Sequence, residues 1–404
     1  MQPPQSPLEY PSAVAENQPA NKHRMSKELS SFAARLRDSI VSGFPGADFD
    51  DWAIELFALQ YERNLDYRGL CNLRRLTPST ICAIRAMTPT FAGRWSQVPF
   101  VSTGAFKKMD VSCIPPAERT RVFHSSGTTE QEPSRHFHNV ESLAVYKASL
   151  WKWFRVHFDA TNEPVFLTPP PGFASHSSLI HMFETIRQMS GLPESVFTGS
   201  YLADGSWTVD FDATIQRLKN ACAVGKPLTL LGTAFSFVHL LDHLMANDLQ
   251  FELPKDSCVM ETGGYKNRSR TMPKAELHAL ITKRLGIAPD KIVCEYGMSE
   301  LSSQAYTVRD DECQLTKRDQ AKGSSSTKNH FHFPPWARFQ IISPENGREA
   351  AEGETGLIRI FDLANVFSVA AIQTEDLGIR RGDGFELVGR AQLAEPRGCS
   401  LMTS

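Results

Sequence analysis

The sequence predicts an α/β fold, a large sheet whose strands alternate with helices, that ends in a β-rich subdomain. Two patterns support this prediction. Short apolar runs alternate with segments of helical period through the middle of the chain, and after about Pro335 only short strand-like runs recur. With 404 residues, 41% of them hydrophobic, the chain can bury a large core in two or three domains.

Charge and cysteine usage exclude several classes of protein. Lys and Arg total 43 against 45 Asp and Glu, so no broad basic field exists to bind nucleic acid. The longest apolar stretch, residues 228–241, is interrupted by polar residues and is too short to span a bilayer, so no integral membrane contact is expected. The eight cysteines are scattered without a close pair, which is typical of reduced thiols and predicts a cytoplasmic protein.

Three regions are predicted along the chain. Residues 1–25 are expected to form a disordered tail, because five prolines fall among the first 22 residues without aliphatic periodicity. Residues 26–335 form the α/β domain, and residues 336–404 form the β-rich subdomain. A helix is predicted from Asp50, and a second carries the apolar stripe that ends at Phe158.

The middle region alternates strands with helices. The predicted strands are 164–168, 227–232, 257–261 and 291–296, separated by helices at 178–189, 211–222, 235–246 and 273–285. Later strands are predicted at 338–342, 356–361, 369–374 and 384–388. In such sheets ligands bind at the carboxyl ends of the strands, where GGYKNRSR and YGMSE follow predicted strands.

A polar loop after the first apolar run suits a phosphate. It consists of Ser125, Ser126, Gly127, Thr128 and Thr129. The glycine allows a turn in which successive N–H groups point into one concavity, and the hydroxyl groups supply further donors. A polar surface turn is the alternative interpretation, because Ser, Thr and Gly cluster in loops of every kind.

Motifs in the second half complete a predicted ATP site. Gly263 and Gly264 would let a flat ring lie against the backbone, and Tyr296 would stack on that ring. Glu300 would hold Mg²⁺ beside phosphate oxygens, and Asp376 would accept two ribose hydroxyl groups. The alternative for Glu300 is an acid favoured at the start of a helix. Gly297 and Ser299 of the same YGMSE motif complete the set of predicted nucleotide-binding residues.

The motifs SSGTT, TGG, YGMSE, TEDLG and GR resemble, in that order, those of the adenylate-forming superfamily. More narrowly, FHSSGTT, SRHFH, METGGYK, EYGMSELSSQAY, DLANVFS and RGCSLM look like the acyl-protein synthetase family, which serves the fatty acid reductase complex of bacterial luminescence. The resemblance runs from about Trp52 to Met402. It implies a large adenylate-forming domain without the mobile C-terminal domain of the acyl-CoA ligases.

The resemblance also implies a reaction and a set of roles. ATP, with Mg²⁺, and a fatty acid would form acyl-AMP, the acyl group would pass to a cysteine as a thioester, and a reductase partner would receive it. By this resemblance residues 125–129 bind phosphates, Gly264 lies by adenine, and Arg390 stands near the nucleotide. Cys399 is implied as the acyl acceptor, with Glu300 and Arg135 as the other catalytic residues.

Two features depart from the superfamily pattern. Glu130 stands where a glycine is usual, and Glu132 with the two residues after it displaces the usual lysine, for which Arg135 would compensate. Two rival functions stay open at this point: an acyl- or aryl-CoA ligase in which Cys399 is incidental, and an inactive scaffold that binds a reductase.

Three further groups are weighed against plainer roles. His239, Asp242 and His243 have the spacing of an inverted zinc motif but are expected to be packing residues. Cys294 is expected to be buried and inert. Residues 173–183 would line an acyl tunnel or, alternatively, belong to the core.

Overall fold

The computed structural model of the chain describes residues 19–83, 93–125, 132–202, 206–263, 272–309 and 329–391. The helices are α1 (Pro19–Ser42), α2 (Phe49–Arg63), α3 (Leu65–Leu73), α4 (Pro78–Ala83), α5 (Ala105–Lys108), α6 (Val140–His157), α7 (Ser178–Met189), α8 (Phe211–Val224), α9 (Ala234–Ala246) and α10 (Lys274–Leu285). The strands are β1 (Val101–Ser102), β2 (Arg121–His124), β3 (Arg135–His138), β4 (Glu163–Phe166), β5 (Gly199–Tyr201), β6 (Trp207–Val209), β7 (Leu228–Thr233), β8 (Cys258–Thr262), β9 (Ile292–Tyr296), β10 (Ala305–Arg309), β11 (Asn329–His332), β12 (Ala337–Ile342), β13 (Thr355–Asp362), β14 (Ala371–Arg381) and β15 (Gly384–Arg390).

One large mixed sheet joins the middle of the chain to its β-rich end. Its strand order is β12-β13-β14-β15-β11-β10-β9-β8-β7-β4, with β1 added beside β14. Strands β4, β7, β8 and β9 pair in parallel and are connected by helices. The remaining strands of this order, β10, β11, β15, β14, β13 and β12, each pair antiparallel with their neighbours, beginning with β10 against β9. The predicted α/β class is therefore confirmed. The division of the chain at residue 335 stays a prediction, since hydrogen bonds run continuously across this sheet.

Helices cover both faces of the parallel strands. On one face Leu230 of β7 packs in a cluster with residues of α8, α9 and α10, and on the other Leu231 packs with residues of α6 and α7. Successive side chains of a strand point to opposite faces, so each parallel strand is buried on both sides. No helix among the described residues is long and apolar enough to cross a membrane.

The predicted elements differ from the observed ones mainly at their ends. The four parallel strands and the helices between them lie within two residues of their predicted bounds. Strand β14 continues to Arg381, well beyond the predicted end at residue 374, because it forms a long hairpin with β15. Strands β10 and β11 were not predicted, since their sequences AYTVR and NHFH contain few of the aliphatic residues that mark buried strands.

The predicted N-terminal tail is wrong in its last residues. Helix α1 begins at Pro19, inside the range 1–25, because proline fits the first turn of a helix. Further along α1, Leu29, Phe32 and Leu36 are buried at helical spacing and fix the helix on the core. Residues 1–18 lie outside the described residues.

Candidate active site

A cleft of about 370 Å³ opens at the carboxyl ends of β7, β8 and β9. Thr233 and Thr262, the last residues of β7 and β8, line it together with Glu295 of β9. This edge is where ligands bind in sheets built from βα units. The predicted site residues in its lining are Ser125, Gly263, Gly297, Ser299, Glu300, Asp376 and Arg390.

The remaining predicted residues fall into two groups. Tyr296 and Arg135 are described but lie outside the lining that the described residues define. The others lie in segments outside the described residues; they are Ser126, Gly127, Thr128, Thr129, Gly264 and Cys399. Their assigned roles stay predictions.

Glu300 is buried at the cleft wall and held from both sides. Its carboxylate accepts a hydrogen bond of 2.9 Å from the Ser299 hydroxyl group, and only 5% of the residue is exposed. Its backbone carbonyl accepts a hydrogen bond of 2.8 Å from the Asn365 side chain. The alternative interpretation of Glu300, an acid at a helix start, does not fit, since Glu300 follows β9 in a turn. Hydrogen bonds therefore hold both the carboxylate and the backbone of Glu300, and the residue lines the cleft.

Asp362, which the sequence analysis missed, anchors the segment after Glu300. One of its oxygens accepts hydrogen bonds from the backbone N–H groups of Ser302 and Ser303, at 2.9 and 2.8 Å. The other accepts from the Ser303 hydroxyl group and the Ala364 N–H, at 2.7 and 2.9 Å. Burial raises the pKa of Asp362, and these four donors oppose that rise. The run DLAN, already part of the family resemblance, was the signal that could have revealed it.

Replacing Asp362 by alanine should strongly destabilise the fold. Each buried donor left without an acceptor costs about 1–3 kcal/mol, so we expect the free energy of unfolding to fall by on the order of 4 kcal/mol. Denaturant unfolding would measure it. Asp290→Ala removes an exposed carboxylate and should change stability by less than about 0.5 kcal/mol, and equal effects of the two variants would contradict the anchoring role.

The hairpin β2–β3 brings Ser134, which follows the predicted phosphate loop, beside Ser299. Ser125 and Ser134 are bonded to each other at the two ends of the loop, through the Ser134 N–H to the Ser125 hydroxyl group at 3.0 Å. The Ser134 hydroxyl group lies 3.3 Å from that of Ser299, and Nδ1 of His136 lies 2.8 Å from the Ser299 carbonyl oxygen. Burial lowers the pKa of His136 to about 4, so the ring is neutral and Nδ1 donates to that carbonyl.

Arg135 does not have the expected position. Its guanidinium forms an ion pair of 3.2 Å with Asp110, and Arg119 shares the same carboxylate at 2.7 Å. The alternation of a strand explains this: His136 of β3 points inward to Ser299, so Arg135 next to it points away. Among the described residues, Lys107 and Arg390 are the lysine and arginine side chains that line the cleft instead. Glu132, the acid near the predicted loop, is exposed.

Asp376 presents its carboxylate to the cleft, between two other predicted residues. The Tyr296 hydroxyl group donates to it over 2.9 Å, and Nε of Arg390 lies 3.6 Å away. Burial raises the pKa of Asp376, while both neighbours lower it. Tyr296 is thus not the predicted stacking surface: its ring packs against Phe331 and Phe385, with centroids 5.9 and 5.5 Å away. Its position on β9 directs the ring into this aromatic cluster and leaves it to orient Asp376.

Glu295 is a second cleft residue that the sequence analysis missed. Thr262 donates a hydrogen bond to its carboxyl group, and in the parallel pair β8–β9 these two residues are in register. Burial, together with the negative charge of Glu261, raises the pKa of Glu295 to about 7. A carboxyl group inside an otherwise apolar strand, next to the motif YGMSE, was the available signal.

Glu295 should make stability fall as the pH rises. Its pKa in the folded protein lies above the usual 4.5, so folding retains a proton that the unfolded chain loses between pH 4.5 and about 7. Stability from this group is present below pH 4.5 and is lost on the way to pH 7. Between pH 4 and 8, the free energy of unfolding of the wild type should fall by roughly 3 kcal/mol at most, relative to that of Glu295→Gln. Denaturant unfolding across that range tests this, with exposed Glu345→Gln as the control; parallel curves for wild type and Glu295→Gln would refute it.

The apolar wall of the cleft comes from the start of α7. Ser177, Ser178, Leu179 and Met182 line the cleft, whereas Phe183 is fully buried against Phe166 with ring centroids 5.0 Å apart. The predicted tunnel segment is thus divided between cleft and core.

The HLLDH segment lies on α9 and packs as expected. The ring of His243 stacks on that of Phe211, at 4.2 Å and an interplanar angle of 8°.

Comparisons with known proteins identify relatives. The family model "Acyl-protein synthetase, LuxE" matches residues 194–404. The chain is 23% identical over 364 residues to the long-chain-fatty-acid–luciferin-component ligase of Aliivibrio fischeri, covering 86% of this chain and 85% of that one. The ligase of the same name from Vibrio harveyi is also 23% identical, over 360 residues and the same shares of both chains.

Solved structures share the fold. A 2-hydroxyisobutyryl-CoA ligase in an open conformation, in complex with 2-HIB-AMP and CoA, matches with a TM-score of 0.57 and 13% identity, over 83% of this chain and 74% of that one. The same ligase in its postadenylation state, in complex with R3-HIB-AMP, also matches with a TM-score of 0.57. Its identity is 12%, over 95% of this chain and 72% of that one. The fold is that of the adenylate-forming ligases. Because the family model covers just over half of the sequence, the chain belongs to the acyl-protein synthetase family.

Proposed function

We propose that this chain activates a fatty acid with ATP as acyl-AMP, transfers the acyl group to Cys399, and delivers it to an acyl reductase partner. The observation that carries the proposal is the meeting of Glu300, Asp376, Arg390 and the closed end of the phosphate loop in one cleft. The names of the two bacterial relatives, long-chain-fatty-acid–luciferin-component ligases, support a fatty acid as the substrate.

The nucleotide would lie between the two sides of the cleft. Asp376 offers carboxylate oxygens to a ribose, because the Tyr296 hydroxyl group and Arg390 hold it in place. Ser125 stands at the near end of the loop that would cradle the phosphates, and Ser134 ties that loop to Ser299. Direct hydrogen bonds therefore join groups that are far apart in the sequence.

Glu300 fits a Mg²⁺ ion bound with the phosphates. Mg²⁺ prefers oxygen ligands and is usually held by one or two carboxylates together with substrate phosphates. Glu300 offers such a carboxylate at the cleft wall, and Ser299 orients it. When bound, the ion would neutralise charge on the phosphates during nucleotide transfer.

The acyl chain would lie toward α7. Leu179 and Met182 give the cleft an apolar wall, and Tyr146 of α6 lines it nearby. Burial raises the pKa of Tyr146 well above its usual range, so its hydroxyl group is neutral. An apolar wall of this kind suits a fatty acid better than a polar substrate.

The proposed reaction has two transfers. The fatty acid carboxylate attacks the α-phosphorus of ATP, and pyrophosphate leaves with the bonding electron pair. The Cys399 thiolate then attacks the acyl carbon, forming a thioester while AMP leaves. Of the described residues that line the cleft, Lys107 and Arg390 carry positive charges that would offset the developing negative charge.

ATP–pyrophosphate exchange with a series of fatty acids tests the first transfer. Incubation with ATP and labelled fatty acid, followed by hydroxylamine, tests the second, since a thioester releases its label. We expect exchange and hydroxylamine-labile label without added coenzyme A. Product that forms only with coenzyme A would instead identify an acyl-CoA ligase, and absence of exchange with folded protein would identify a scaffold.

A further inference from the structure

Three metal-ligand side chains meet behind the candidate active site. Glu261 of β8 and Cys294 of β9 are in register on paired parallel strands, so their side chains share one face of the sheet. His278 of α10 covers that face. Among the described residues, these three form the group of His, Cys, Asp or Glu side chains whose ligand atoms converge closely enough to hold a metal ion.

The three ligand atoms have the spacing of a tetrahedral zinc site. Sγ of Cys294 lies 3.3 Å from Oε2 of Glu261 and 3.8 Å from Nε2 of His278, and that nitrogen lies 3.5 Å from the same oxygen. With zinc bonds of about 2.0–2.3 Å, neighbouring ligands of a tetrahedron are separated by about 3.4–3.6 Å. The observed separations differ from these by only about 0.3 Å or less.

We propose that Glu261, His278 and Cys294 form a zinc site, with a fourth position open to water. The donor set is one carboxylate, one imidazole and one thiolate, which zinc accepts and which Mg²⁺ and Ca²⁺ do not prefer. Glu261 is only 2% exposed, so its charge needs a cation beside it. Zinc binding would release the thiol proton of Cys294 to solvent.

Lys274 supplies that cation when metal is absent. Its Nζ lies 3.4 Å from Oε2 of Glu261, but 52% of its side chain is exposed. A flexible, half-exposed side chain can turn outward to solvent when a metal ion takes its place. The lysine is therefore a competitor of the metal rather than a ligand.

The site is separate from the cleft but linked to it through two strands. Thr262 and Glu295, the next residues along β8 and β9, point to the opposite face and line the cleft. A metal joining β8, β9 and α10 would fix the strand ends that carry Gly263 and Tyr296. The expected role is structural, because the described ligands do not line the cleft.

Cobalt and zinc binding to the full-length, metal-stripped chain tests the proposal. Co²⁺ should bind in a ratio of one per chain, with a thiolate-to-metal charge-transfer band and visible absorption of tetrahedral intensity, and Zn²⁺ should displace it. Zn²⁺ should also raise the thermal unfolding temperature, because it binds the folded state preferentially. These readouts do not depend on acyl transfer, so they can fail or succeed separately from the proposed function.

Single substitutions assign the ligands. Cys294→Ser should abolish the charge-transfer band, and His278→Gln should weaken zinc affinity by more than about 100-fold, beyond the loss typical of residues that only support a ligand. Lys274→Met should bind zinc more tightly than the wild type. Cys258→Ser removes a different buried cysteine, which lies on β8, and should leave zinc binding unchanged.

Absence of the charge-transfer band in the folded wild-type protein would overturn the proposal, as would a zinc affinity that His278→Gln leaves unchanged. Should Cys294→Ser fail to fold, His278→Gln decides, because His278 is partly exposed on a helix surface. If Lys274→Met bound zinc more weakly than the wild type, Lys274 would not compete with the metal. The assignment of the fourth coordination position to water would then be wrong.

Discussion

Glu300→Gln is expected to lower ATP–pyrophosphate exchange by at least about 100-fold while the protein stays folded. Glutamine keeps the shape of the side chain and can still accept the hydrogen bond from the Ser299 hydroxyl group. It removes the negative charge that would bind Mg²⁺ with the phosphates. The loss should therefore fall on the chemical step and on the Mg²⁺ requirement rather than on stability. Exchange measured over a range of Mg²⁺ concentrations would show both effects.

A matched control comes from the same cleft. Glu375 also lines it, next to Asp376, and Glu375→Gln removes the same charge without touching Ser299. We expect the exchange rate of this variant to fall by less than about tenfold, because water in an open cleft screens the interaction of a charge that does not contact the nucleotide. Undiminished exchange in folded Glu300→Gln, or equal losses in both variants, would refute the specific role of Glu300.

The parallel half of the fold could be read from the sequence because each of its elements carries a local signal. β7 and β8 are uniformly buried runs, and α7 has an apolar stripe with serine at its N-terminus. Local patterns specify such elements almost to the residue. The pairing of β10 with β11 depends on contacts made across the sheet, and their sequences AYTVR and NHFH are too short to show a period.

The same distinction applies to the positions of the predicted site residues. The expected cluster of Glu300, Asp376 and Arg390 follows from motif order, and the structure brings these residues to one cleft. Side-chain direction is a property of the strand register, which a motif does not give. Tyr296 therefore turned out to orient Asp376, and Arg135 to pair with Asp110. Asp362 was missed because three of its four donor groups lie about 60 residues earlier in the chain, and the fourth belongs to its own turn.

Cys399 is the predicted carrier of the acyl thioester. An ordinary cysteine thiol has a pKa of about 8.5, so only a few per cent is ionised at neutral pH, and the positive charge of Arg397, two residues before Cys399, would favour the thiolate. Gly398 gives the backbone freedom beside it. These residues lie outside the described part of the chain, so the prediction depends on the RGCSLM sequence and on the family.

Cys399→Ala should separate the two transfers. In the proposed reaction, activation depends on the cleft residues Glu300, Asp376 and Arg390 and not on Cys399, so ATP–pyrophosphate exchange with fatty acid should continue at a rate close to that of the wild type. The hydroxylamine-labile label should disappear completely, because the thiolate that would form the thioester is gone. Cys82→Ala and Cys222→Ala each remove an exposed cysteine and should retain the label. A label that survives in Cys399→Ala but is lost in one of these two variants would move the acceptor there, and a label lost together with exchange would assign Cys399 to activation instead.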